Sequence, residues 1–86
     1  MMYSFNLDNY ASWRELVLAN PPKMDVHTLN NKLGNILNGT PQYCNAMNSG
    51  DLKKAQRYWE FVTGSFAFLG RAGEYDVYNI IEVLPE

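Results

Sequence analysis

Met1 to Leu7 alternates, with Tyr3, Phe5 and Leu7 on one side and Ser4 and Asn6 on the other. That period of two predicts a short strand. Asp8 then offers an N-cap, and Ser12-Trp13-Arg14-Glu15 fits a capping box with Ala11 and Leu16 as its staple. Either start predicts a helix to about Ala19 that buries Trp13, Leu16 and Val17. Pro21-Pro22 stops it, because a proline disfavours helix in the residue before it.

Asp25 is the next expected N-cap. Val26, Leu29, Leu33 and Ile36 follow at helical spacing, with Leu37 beside them and Asn30, Asn31, Lys32 and Asn35 opposite. Gly39 suits the left-handed position after a helix end. Thr40-Pro41 would cap a new, short helix from Gln42 to about Asn48, with Tyr43 and Met47 on one side and Gly50 at its end. Asp51 caps what the pattern makes the longest helix. Its buried stripe is Leu52, Ala55, Trp59 and Val62, and its opposite side shows Lys54, Arg57, Tyr58 and Phe61.

Beyond Val62 two continuations fit. Phe66 and Leu69 keep the helical spacing, so the helix could run to residue 69. Against this, Thr63-Gly64-Ser65 is a poor helix interior, costing about 1–2 kcal/mol relative to alanine. Ser65 to Leu69 and Tyr75 to Val83 are rich in aromatic and β-branched residues, and Gly70 to Gly73 makes a suitable hairpin loop. The hairpin is the favoured reading. The expected fold is therefore α+β and helix-rich. A small three-stranded antiparallel sheet, formed by the N-terminal strand and a C-terminal hairpin, would pack on three or four helices. The alternative is an all-α bundle of five helices with Met1 to Leu7 as an arm.

Composition adds limits. The 86 residues are 47% apolar, and 7 Lys and Arg stand against 9 Asp and Glu. That balance predicts one globular domain spanning residues 1–86. The lone Cys44 can form no internal disulfide, which favours a reducing, cytoplasmic setting. The N-terminus carries neither the basic nor the apolar region of a secretory leader. The uncharged stretch Phe61 to Gly70, broken by Thr63, Gly64 and Ser65, is too short and too polar for a membrane span. A soluble, non-membrane protein is expected. The slightly acidic balance also argues against direct nucleic-acid binding, which needs a basic field.

Candidate chemistry is sparse. His27 is the single histidine, and nothing in the sequence pairs it with Cys44 or a serine. One Cys and one His cannot supply a structural zinc site. Asn45 to Asp51 lacks the closing glutamate of a calcium loop. Gly64, Gly70 and Gly73 do not form a phosphate-cradling loop. Glu74, Asp76 and Glu82 could share a strand face, but an exposed face does not raise a carboxyl pKa for acid catalysis. No catalytic residue, metal or cofactor is expected.

Two surfaces remain. One is the basic-aromatic stripe of Lys54, Arg57, Tyr58 and Phe61. The other is an acidic strand face holding Glu74, Asp76, Tyr78, Ile80 and Glu82, with apolar groups inside a charged rim. The last 13 residues carry Glu74, Asp76, Glu82 and Glu86 and no base. They favour a larger protein with a basic surface as partner. The expected function is a non-enzymatic protein-binding module, a small inhibitor or adaptor. Phage and mobile-element inhibitors of bacterial defence or transcription have this build, which would place it in a bacterial cytoplasm. An exposed edge strand also offers homodimer pairing across a two-fold axis. The alternative is a small dimeric helix-turn-helix DNA-binding regulator, with its turn at Asn38-Gly39-Thr40 and with Gln42, Asn45 and Asn48 reading bases.

Overall fold

The computed structural model describes residues 1–70 and 73–85, with side chains for all of these except residues 73–76. The chain runs β1 (Met2–Phe5), α1 (Leu7–Ala19), α2 (Val26–Ser49), α3 (Leu52–Phe68), α4 (Gly73–Ile80) and β2 (Ile81–Leu84). β1 and β2 pair antiparallel, with Tyr3 opposite Val83 and Phe5 opposite Ile81. The architecture is helix-rich α+β, and the sheet among the described residues has two strands rather than three.

The missing third strand has a physical cause. Ser65 to Phe68 belongs to α3, which runs on through Thr63-Gly64-Ser65. The Thr63 hydroxyl donates to the Trp59 carbonyl at 2.8 Å, and the Ser65 hydroxyl to the Phe61 carbonyl at 3.0 Å. Those bonds satisfy the polar groups inside the helix, while Val62, Phe66 and Leu69 carry its buried stripe past them. Tyr75 to Val83 also divides. Val77 and Ile80 are three positions apart and both wholly buried, which is helical spacing, and only Ile81–Leu84 is extended. Arg71 and Ala72 of the expected hairpin loop lie outside the described residues.

α2 is the longest helix, 24 residues with Pro41 inside it. The break expected at Gly39-Thr40-Pro41 does not occur. A proline inside a helix costs about 3 kcal/mol. Burial of Leu29, Leu33 and Ile36 before it, and of Cys44 and Ala46 after it, outweighs that cost. The Thr40 hydroxyl turns back onto the Ile36 carbonyl at 2.7 Å instead of capping a new helix. Gly39 is buried, with Phe61 and Val62 of α3 lying where its side chain would be. The left-handed glycine of α2 is Gly50, φ 78°, which closes the helix through bonds to the Ala46 and Met47 carbonyls.

The caps divide in the same way. Asp25 and Asp51 accept from the Thr28 and Lys54 amides, as their sequence positions imply. α1 is capped by Asn6, which accepts from the Asn9 amide at 2.9 Å, and not by Asp8 or Ser12. One buried cluster joins Tyr10, Val17, Leu29, Leu33, Ile36, Val62, Phe66, Leu69, Val77 and Ile80, with Trp13 half-buried against it. Leu16, Val26, Leu37 and Leu52, expected inside, are exposed. Two side-chain bonds tie α1 down. The Tyr10 hydroxyl donates to the buried Leu33 carbonyl at 2.9 Å, and Asn9 Nδ2 donates to the Asn79 carbonyl at 2.7 Å.

Candidate interaction surface

α3 presents the basic-aromatic stripe as the spacing predicts. Arg57 and Phe61, four residues apart, share one exposed side of the helix. With the half-buried Tyr58 they line an open, shallow depression of about 310 Å³. A second depression of about 500 Å³ adjoins it, lined by Lys53, Gln56, Arg57 and Glu60. Further along the α2–α3 pair, the Lys32 ammonium stands 4.4 Å above the Phe68 ring, and Phe68 itself is exposed.

The acidic strand face does not form. Ile80 has no exposed surface and belongs to the core, so it is not part of an exposed patch. The backbone at Glu74 and Asp76 is helical, in α4, and their side chains lie outside the described residues. Glu82 is exposed on β2, where its carboxylate accepts from Asn6 Nδ2. The expected apolar centre thus reduces to Tyr78, which is 66% exposed at the end of α4.

Tyr78 leads into a feature that hydropathy patterning missed. Its ring lies 5.8 Å from Trp59, Trp59 lies 5.3 Å from Tyr43, and Tyr43 meets Tyr3 edge-on at 6.2 Å. Four elements, β1, α2, α3 and α4, each contribute one ring to this row. Tyr3, Tyr43 and Trp59 are all half-buried. Burial raises the Tyr43 hydroxyl pKa above its ordinary value, with Tyr3, Cys44 and Tyr78 adding to the effect. The sequence signal was the aromatic fraction of 14%, generous for so small a core.

His27 is exposed in the first turn of α2, and Cys44 is buried later in the same helix. Seventeen residues of helix separate them by roughly 25 Å, at about 1.5 Å per residue. Burial pushes the Cys44 thiol up to about 11, which suppresses the reactive thiolate. Among the described residues no group of three His, Cys, Asp or Glu could hold a metal ion. No described helix is long and apolar enough to cross a membrane. The turn of the expected helix-turn-helix, Asn38 to Thr40, is helical, so its two helices are one.

No protein-family model, curated protein or solved structure matches the chain.

Proposed function

We propose that this chain is a non-enzymatic protein-binding module that docks a preformed surface on a larger protein, as an inhibitor or adaptor in a cytoplasmic setting. The row of rings Tyr3, Tyr43, Trp59 and Tyr78 carries the reading. Aromatic rings supply large contact area, and interfaces are enriched in them. Each ring is braced by the next, so little side-chain freedom is left to lose on binding. Arg57, Tyr58 and Phe61 add an interface-type cluster on α3. The action is steric: the module occupies a surface its target needs. The exposed Glu82 and the acidic C-terminal residues favour a target with basic groups at the rim.

The test is capture of the target from lysate by the wild-type chain, followed by affinity measurement with Tyr78→Ala and Arg57→Ala. A loss of about tenfold or more for Tyr78→Ala, with an unchanged melting temperature, supports the reading. Wild-type affinity in both variants, or turnover of a small molecule by the purified chain, overturns it. So does salt-sensitive retardation of random duplex DNA.

A further inference from the structure

The two-stranded sheet has two outer edges, and the chain treats them differently. In an antiparallel ladder, pairs that exchange hydrogen bonds alternate with pairs that do not. The Asn6 amide donates to the Ile80 carbonyl at 2.7 Å, which fixes the phase. Ser4–Glu82 and Met2–Leu84 are then the bonded pairs, and Tyr3 and Val83 turn their backbone groups outward, away from each other.

On the β1 side the outward groups are occupied. Asn48 Oδ1 accepts from the Tyr3 amide at 2.7 Å, and Asn48 Nδ2 donates to the Tyr3 carbonyl at 2.8 Å. One side-chain amide thus performs the part of a neighbouring strand. On the β2 side, nothing among the described residues bonds the outward amide and carbonyl of Val83. The side chains there, Val83 and Leu84, are each 46% exposed. An unblocked edge of this kind templates an added strand.

We infer that the outer edge of β2 takes an extended segment of the partner as a third, antiparallel strand, and that this segment carries Lys or Arg opposite Glu82. The inference rests on the docking function proposed above and names the element of the target that is gripped. Charge selects the occupant. From Ala72 to Glu86 the chain holds Glu74, Asp76, Glu82 and Glu86 and no Lys, Arg or His. A second copy would set this acidic segment against its like, whereas a basic strand compensates its charge. On the added strand, the residue facing Val83 would exchange two backbone bonds with it. The residue facing Glu82 would be basic, and the one facing Val83 apolar.

The experiment titrates the isotope-labelled full-length chain with a capped synthetic peptide of alternating lysine and valine. The expected result is a set of amide shifts centred on residues 81–84, with slower exchange of the Val83 amide. The glutamate–valine peptide should bind about tenfold more weakly, and Glu82→Lys should narrow or reverse that preference. An N-methylated lysine–valine peptide, unable to donate, should also lose about tenfold. Val83→Pro removes the outward donor but no ladder bond to β1, so it should fold and lose peptide binding. No shift at residues 81–84 up to millimolar peptide, or equal binding of the N-methylated peptide, overturns the inference. So does self-association of the chain that Val83→Pro abolishes, since the edge would then belong to a second copy. A target whose capture depends on Tyr78 but is indifferent to Val83→Pro would sink the strand inference alone and leave the docking function standing.

Discussion

Gly39 lies so close under Val62 that a Cβ built on it would stand 2.8 Å from Cγ2 of that valine. The next nearest atom, Cδ2 of the Phe61 ring at 3.1 Å, belongs to an exposed side chain that can swing away. Val62 is buried, and β-branched side chains in a helix have one preferred rotamer, so it cannot.

Gly39→Ala should therefore destabilise the protein although alanine is the better helix former. Overpacking costs about 1–3 kcal/mol, against a propensity gain near 1 kcal/mol. Gly34, in the same helix, has nothing within 4 Å of its added Cβ. Gly34→Ala should stabilise by up to about 1 kcal/mol. Thermal melts of the two variants should shift in opposite directions, and a shared direction would contradict the close approach of α2 and α3.

Why the sequence hid this follows from what a local pattern encodes. Asp25, Asp51 and Gly50 were legible because a cap is a bond between near neighbours. The outward side of α3, with Arg57 and Phe61, was legible because it is a matter of period. Gly39 and Pro41 misled because their local meaning, the end of a helix, is overridden by burial on both sides of the proline. Ile80 misled because Val77, Ile80 and Ile81 fit strand and helix spacings at once. Only contact with α1 and the core decides between them. The row of rings left no trace beyond the aromatic fraction because it joins four elements distant in sequence.

Asn48→Ala removes both bonds to the Tyr3 backbone. The expected loss is about 1–2 kcal/mol, since an exposed pair of bonds is partly replaced by water. Hydrogen exchange of the Tyr3 amide should quicken, while α2 and α3 keep their protection. Unchanged exchange at Tyr3 would show that the edge is not held by this side chain.

Among the described residues, three raised groups bear on alkaline stability. Burial lifts Cys44 to about 11 and raises Tyr10 and Tyr43 above their ordinary values. Each loses its proton more readily unfolded than folded, so the unfolded chain binds fewer protons and stability falls as pH rises. The Cys44 share begins near the usual thiol range and is complete by about 11, at roughly 1 kcal/mol per pH unit. Denaturant melts across that range should show the decline, and Cys44→Ala should flatten its lower part. Alkylation of the native thiol should be slow and should track unfolding.

Asp25 contributes on the acid side. Its carboxylate accepts the Thr28 amide and hydroxyl, both at 2.8 Å, and these bonds hold its pKa below the usual carboxylate value. That contribution is present at neutral pH and is lost as the pH falls through the lowered value. Asp25→Asn should retain a cap and lose this part of the acid sensitivity, read as a flatter melting curve below the carboxylate range.

β1 and β2 also set an order of events. The Asn6–Glu82 bond at one end of their ladder joins residues 76 positions apart. Closing a loop of that size carries a large entropic penalty, and the helical hairpin of α2 and α3 carries almost none. The strands should therefore zip after the helices have gathered, and on partial unfolding they should be the first to part. The edge that Asn48 shields and the edge that β2 leaves open would then come undone together, so a partner clasped to the second would steady the first.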